Sequence, residues 1–301
     1  MKIYDCFMFF DEDLVLDIRL NTLNEFVDYF VIVESKFNHK GEERDLKFNL
    51  EKYQKFKNKI IYLIHDDLPK NIELIQSNDS EKSLNLKYVY NAVKRENSQR
   101  DFIMKGLKNA NNEDLILISD VDEIPNLKSF NLNEKISKIV VFEQNFFYYK
   151  FDLCIPNFKW YGTKACKKKD LLSPQWLRNI KCKKYPKYRI DILFNKKKYN
   201  NIQFVENGGW HFSNMKSPKE IELKLKSYLH HRDFELYPMT LNEIERTIKN
   251  KKAIYDLTID KKVGKQIGTG ARLDNFDKSL LPKYIIDNKD KFLNWLDKKI
   301  I

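Results

Sequence analysis

The sequence predicts an α/β fold, a mostly parallel sheet with helices packed on its faces, followed by an elaborated C-terminal half. Three observations carry this. The runs "YFVIVES", "KIIYLIHDD" and "EDLILISD" are short, apolar and rich in β-branched residues, as strands buried on both faces are. Segments with helical spacing of apolar residues separate them. Strands joined in this way need crossover connections, which put helices on the faces of a parallel sheet.

Taken in order, "KIYDCFMFF" is the first strand. "DLVLDIRLNTLNEF" follows as a helix, with Leu14, Ile18, Leu23 and Phe26 at helical spacing and acids in its first turn. "YFVIVES" is the second strand, "LKFNLEKYQKFKN" reads as helix, and "KIIYLIHDD" is the third strand. A long helix is predicted within residues 84–110, and "EDLILISD" closes the series. After about residue 138 the style changes. "KIVVFEQNFFYYKFD" is an aromatic strand, and an irregular basic stretch with Trp160, Trp176 and Tyr185 follows. "QFVENGGWHFS" is a strand or turn, and "SPKEIELKLKSYLHHRDF" is a helix opened by Ser217 and Pro218. Neither a repeat nor a low-complexity linker interrupts residues 1–301, so one domain is the simplest organisation.

Composition excludes several classes. With 42% hydrophobic and 14% aromatic residues in 301, the chain can bury a core and is not a disordered tail. No apolar run approaches the roughly 20 residues that a membrane-spanning helix needs. The opening "MKIYDCFMFFDEDLVL" runs into acids without a small-residue cleavage site, so it is not read as a signal peptide. Cys6, Cys154, Cys166 and Cys182 are widely spaced, which suits reduced thiols rather than a disulfide frame. A cytoplasmic protein is expected.

The net charge of +12 is local. Residues 159–198 hold 14 Lys or Arg against Asp170 and Asp191, while 41 basic and 41 acidic residues cancel elsewhere. Such a block is either a solvated lysine-rich face or the contact for an anionic partner.

In parallel sheets of this kind, ligands bind beyond the carboxyl ends of the strands. Glu34, His65, Asp66, Asp67, Asp120, Asp122 and Glu123 occupy such positions. The chain has two D-x-D triplets, a number that 24 aspartates supply by chance. Asp11-Glu12-Asp13 opens a helix, where acids favour the dipole, and is assigned a capping role. Asp120-Val121-Asp122 follows a buried strand. There it is either a metal–diphosphate site, since Mg²⁺ and Mn²⁺ take carboxylates together with substrate phosphates, or an ordinary charged turn. Upstream, Val89, Val93, Ile103, Met104 and Leu107 form one helical stripe, with Arg100 near its middle and Glu96 and Asn97 close by. A guanidinium there needs a partner: either Glu96 at i, i+4, or a bound phosphate. His211 sits between two aromatics after a Gly pair that permits close backbone approach. GxxxxGK[ST], GxSxG and HExxH are absent, which removes P-loop NTPases, common serine hydrolases and zincins.

Together, "IYDCFMFFDEDLVLDIRLNTLNEFVDYFVIVES", "RENSQRDFI", "ILISDVDEIP", "WYGTKA", "GGWHFS" and "RLDNFDKSLLPKY" resemble glycosyltransferase family 17, from residue 3 to about 284. This is the family of β-1,4-mannosyl-glycoprotein 4-β-N-acetylglucosaminyltransferases. The resemblance implies a GT-A-like fold: a Rossmann-type, nucleotide-binding mixed sheet flanked by helices, with residues 1–137 binding the nucleotide sugar and 138–301 the acceptor. It implies Asp120 and Asp122 as the Mn²⁺ or Mg²⁺ and diphosphate site, completed by His211 by analogy. Glu123 would support that site, and Arg95, Asn97 and Arg100 would line the donor pocket.

The expected reaction is an inverting, metal-dependent transfer, with GlcNAc from UDP-GlcNAc as the expected donor. Its acceptor would be a glycan hydroxyl, as on a lipid-linked precursor. Inversion needs a carboxylate base, for which Glu206, Asp233 and Glu143 are the candidates. The basic block would dock on an anionic membrane surface. Two rivals are weighed: a nucleic-acid-binding protein using residues 159–198, and a metal-dependent phosphohydrolase using the same acids. The first leaves the strand-end acids unexplained, and the second lacks the further His/Asp clusters of a two-metal site. No nucleic-acid partner is expected.

Overall fold

The computed structural model describes residues 1–297 apart from 133, 187, 193, 229–230 and 255–269. The first half builds a parallel unit. Strands β1 (Ile3–Phe9), β2 (Tyr29–Ser35), β3 (Ile60–His65) and β4 (Leu115–Asp120) lie in the order β3-β2-β1-β4, every neighbouring pair parallel. Period-2 alternation sends their side chains to two cores. Phe7, Phe9, Phe30 and Ile32 share one with Leu16, Leu20 and Leu23 of helix α1 (Asp13–Leu23). Tyr4, Cys6, Val31, Val33, Ile116 and Ile118 share the other with Ile103 and Leu107. Both faces are therefore covered, which is why these runs are continuously apolar.

The second half extends the same sheet with mostly antiparallel pairs. It comprises β5 (Glu123–Pro125), β6 (Ile139–Tyr148), β7 (Leu153–Trp160), β8 (Lys164–Lys167), β9 (Ile202–Ser213) and β10 (Asp274–Asn275). β8 pairs antiparallel with both β4 and β6, while β9 runs parallel to β6 and antiparallel to β5. The result is the mixed α/β sheet expected, with strands from either side of residue 138 hydrogen-bonded together.

The GG pair of β9 has a structural use. Gly209 has φ +135°, and a Cβ there would strike the carbonyl of Ile124. Only glycine lets β9 press against β5, and the resulting register sets His211 opposite Glu123.

Three predicted elements differ. Helix α2 covers Glu81–Asp101 rather than reaching 110, and residues 102–107 form a separate 3₁₀ turn. Its buried face is not the apolar stripe: Val89 is 40% exposed, whereas Asn91, Ala92, Gln99 and Arg100 are buried. That face meets polar backbone, with Asn91 donating to the Glu73 carbonyl at 2.8 Å and Gln99 to that of Val33 at 3.2 Å. "LKFNLEKYQKFKN" keeps only a 3₁₀ turn at Leu50–Phe56. Glu12 stands at the N-cap of α1 but does not cap it. Its Oε2 instead accepts the N–H groups of Phe10 and Asp11, each at 3.1 Å. Asp11 and Asp13 pair with Lys216 and Lys52, respectively.

The remaining helices pack as patterned. α3 (Pro174–Arg178) is capped by Ser173. α4 (Pro218–Ser227) opens with a capping box between Ser217 and Glu220, as the sequence signature requires. Ile221 and Leu225 of α4, with Phe234 of α5 (His231–Leu236) and Ile244 of α6 (Leu241–Lys249), cover Phe146, Tyr148 and Leu153 in a third core. α7 (Lys283–Asp287) returns Ile285 to the first core, beside α1.

One buried guanidinium ties this frame to the turn after β4. Arg19, fully buried on α1, forms a fork with Asp5 of β1 (Nε to Oδ2, 2.7 Å). Its Nη1 donates to the carbonyls of Asp120, Val121 and Glu123 at 3.0, 3.1 and 2.9 Å. Its charge is neutralised by Asp5, and its plane lies over Phe7, 4.4 Å from the ring centroid. Arg19→Met is expected to lower the unfolding free energy by about 3–5 kcal/mol in urea denaturation, because it strands the buried Asp5 charge. Arg19→Lys, which cannot form the fork, should recover only part of it. A loss under roughly 1 kcal/mol for Arg19→Met would remove the brace from the account.

Candidate active site

β4 carries an apolar run up to Ser119 and then releases the chain at Asp120. Both Asp120 oxygens are taken by arginines: Oδ1 accepts from Arg100 at 2.9 Å and Oδ2 from Arg178 at 2.9 Å. Arg178 also donates to both oxygens of the fully buried Glu123, at 2.6 and 3.0 Å. Glu123 further accepts the Trp160 indole N–H at 2.7 Å and the Asp120 backbone N–H at 2.8 Å. Arg100 reaches back to Glu96 at 2.8 Å and to Gln175. Burial would raise the Asp120 carboxyl, but Arg178 and Arg100 outweigh it and hold the group well below the usual carboxylate range.

The next acid has different company. Asp122 Oδ2 lies 3.4 Å from His211 Nε2, delivered by β9. Burial again pushes upward, yet His211 and then Lys224 keep the Asp122 carboxyl below its ordinary value. Next to the pair, β9 and the turn are tied by the Phe212 N–H donating to the Asp122 carbonyl at 2.8 Å.

These groups open onto a cavity of about 380 Å³ at the carboxyl ends of β1, β2 and β4, the place the sheet rule predicts. That size suits a small organic ligand. Phe10, Phe146, Tyr148 and Trp160 contribute aromatic wall, and Glu12, Glu96, Asp120 and Asp122 contribute carboxylates. Lys224, from α4, is the one Lys or Arg among its described lining residues.

The predicted residues divide accordingly. Asp120, Asp122 and His211 line the cavity together. Glu123 lies behind them, and Arg100 is buried with its terminal nitrogens donating to Asp120, Glu96 and Gln175, so the internal pair at i, i+4 is made and the Asp120 carboxylate stands beside it. Arg95 lies outside the cavity lining and donates to the His39 carbonyl at 3.1 Å. Asn97 does not line the cavity either. None of the three base candidates lines it: Glu206 is exposed before the Gly pair, Glu143 lies at a bulge of β6, and Asp233 is on α5.

Four residues escaped the sequence reading. Arg19 had a legible signal, because it shares the buried helix face of Leu16 and Leu23, where a charge needs a partner. Arg178 was hidden in the basic run, Glu12 in the acidic triplet, and Lys224 in what reads as a surface pair with Glu220.

Whether a divalent ion fits can be judged from the donors. Two neighbouring ligands of an octahedral ion at about 2.1 Å stand roughly 3 Å apart, close to the Asp122–His211 separation. Their hard oxygen and imidazole nitrogen suit Mn²⁺ or Mg²⁺, with the remaining positions left to diphosphate and water. No group of three His, Cys, Asp or Glu able to hold an ion exists among the described residues, because Asp120 is turned to its arginines. The fit is thus to an ion shared with a ligand, not to a closed protein cage.

A mixed sheet of this order, with an acid turn beside a cavity at its parallel strand ends, is compatible with a GT-A-like glycosyltransferase fold. The chain belongs to glycosyltransferase family 17, whose sequence profile matches residues 1–298. It is therefore an enzyme of the glycosyltransferase class, acting between a sugar donor and a glycan acceptor. No curated protein sequence matches it.

Proposed function

We propose that the enzyme transfers GlcNAc from UDP-GlcNAc to a glycan hydroxyl, with inversion at the anomeric carbon. The observation that supports this most is the grouping of Asp122, His211 and Lys224 on one aromatic-walled cavity at the sheet's switch region. Asp122 and His211 would hold Mn²⁺ or Mg²⁺, which when bound supplies positive charge to the departing diphosphate. Lys224 adds a fixed charge for the same phosphates. Arg100, Arg178 and Glu123 do not touch the donor in this reading: they orient Asp120 and keep the turn rigid. The aromatic side chains supply stacking surface for a base or a sugar ring.

The basic block is not one uniform face. Lys167 and Lys169 pair with Glu113, Lys164 is buried against the carbonyls of Arg178 and Ile180, and Arg178 serves the acids. What remains is the segment with Lys181, Lys183, Lys184, Lys196 and Lys197, where Tyr188, Ile190 and Phe194 are 82%, 69% and 86% exposed. Apolar side chains set among lysines suit peripheral contact with an anionic membrane, where a lipid-linked acceptor would be met from the cytoplasm. None of the described helices is long and apolar enough to span one.

The donor reading is tested by thermal shift with UDP-, GDP- and CMP-sugars, with and without Mn²⁺. A UDP-sugar should raise Tm by several degrees in a Mn²⁺-dependent way. Asp122→Ala should abolish the Mn²⁺ dependence, and Lys224→Ala should weaken donor binding about tenfold. A shift untouched by both variants would exclude this cavity as the donor site. Sedimentation with phosphatidylserine vesicles tests the membrane contact: binding should fall with salt, and Ile190→Ser with Phe194→Ser should remove it. Equal binding by that double variant would refute the contact.

A further inference from the structure

With the three acids favoured by sequence lying outside the cavity, the proton acceptor for transfer has to come from the carboxylates that line it. There are four among the described residues: Glu12, Glu96, Asp120 and Asp122. Three are bound to cationic or imidazole partners. Glu96 bonds Arg100, Asp120 bonds Arg100 and Arg178, and Asp122 faces His211. In each, a carboxylate oxygen is committed to a charged or imidazole side chain.

Glu12 is different. It forms no ion pair among the described residues. The nearby ammonium of Lys216 is bonded to Asp11, and the charge of Glu12 also acts on it through space. One oxygen, Oε2, is fixed by the N–H groups of Phe10 and Asp11, each at 3.1 Å. That leaves Oε1 to face a reactant while the carboxylate plane is held by backbone, not by a mobile side chain. Its location in the chain reinforces this. The residue sits just past the carboxyl end of β1, which is the neighbour of β4 in the sheet, with Phe7 opposite Ser119 and Met8 opposite Asp120. The side chain is free for this task because it does not cap α1.

We propose that Glu12 is the general base of the transfer, a role that rests on the glycosyltransferase reading of this cavity. Oε1 takes the proton of the acceptor hydroxyl as its oxygen bonds to the anomeric carbon. The bond from that carbon to the diphosphate oxygen breaks, and its electron pair leaves with the diphosphate, beside Lys224. Two bonds form, acceptor oxygen to anomeric carbon and Oε1 to hydrogen, two break, the hydroxyl O–H and the carbon–diphosphate bond, and the proton rests on Glu12 until solvent removes it.

The test is UDP release from UDP-GlcNAc, with water and then with p-nitrophenyl glycosides as acceptors, for wild type, Glu12→Gln and Glu12→Asp. Glutamine keeps an oxygen for the two backbone N–H groups, so the fold and the donor-induced thermal shift should persist. The rate should fall by about 10²–10⁴-fold, the usual worth of a positioned base. Glu12→Asp should retain more activity than Glu12→Gln, and the acidic limb of the wild-type pH–rate profile should vanish in Glu12→Gln. A Glu12→Gln enzyme that binds donor and turns over within threefold of wild type would overturn the role. So would an unchanged acidic limb. If wild type releases no UDP and shows no donor shift, the reading of the cavity itself fails, and the role with it. A donor shift in both enzymes together with UDP release that Glu12→Gln leaves intact would count against Glu12 alone.

Discussion

The turn after β4 depends on the Arg19 guanidinium. Three consecutive-region carbonyls, those of Asp120, Val121 and Glu123, converge on one nitrogen of this side chain. Carbonyls so gathered would repel one another without it, and the Glu123 carbonyl is held further by the Thr163 hydroxyl at 2.9 Å. Asp5 neutralises the guanidinium from β1, so the strand at the centre of the parallel unit and the acid turn are one electrostatic assembly. The direction of the Asp120 and Asp122 side chains follows from that backbone. Arg100 and Arg178 then act on top of it, fixing Asp120 from two sides while leaving Asp122 turned to His211.

This arrangement separates two kinds of acid within one short motif. Asp120 and Glu123 are held by arginines whose worth is orientation more than net stability, Glu123 fully buried and Asp120 with its side chain still 36% exposed at the cavity wall. Asp122 and Glu12 are the carboxylates left to meet ligands, one beside an imidazole and one anchored by backbone. In the proposed reading a donor diphosphate brings negative charge, which Lys224 and the Asp122–His211 pair on the cavity would meet. In the proposed transfer the acceptor hydroxyl needs a proton acceptor, the part assigned to Glu12.

Much of the frame was legible because parallel strands advertise themselves. "YFVIVES" and "LILISD" are apolar up to their last two residues since both faces are covered, and the sheet rule then points to the residues at and beyond those ends. The capping box at Ser217 and the GG pair before Trp210 were equally readable, each carrying a local backbone demand. The candidate site was half legible. Asp122 and His211 could be found from position and motif, and Arg100 from its misfit on a helix. Arg178, Lys224 and Glu12 could not, because each sits in a run of like or alternating charge, where only tertiary contact tells a functional side chain from a solvated one. Nearness in sequence to aromatic motifs says nothing about which face of a strand an acid occupies, and Glu206 and Glu143 are not among the residues lining the cavity.

The central claim is that a nucleotide diphosphate and a divalent ion meet at Asp122 and His211. A crystal soaked with UDP and Mn²⁺, recorded at the manganese absorption edge, tests it most directly. The claim predicts an anomalous peak bonded to Asp122 and His211, with the diphosphate reaching towards Lys224 and no change in the Arg100–Asp120–Arg178 bridge. Diphosphate bound instead along the lysines of residues 181–198, with no manganese beside Asp122, would contradict it.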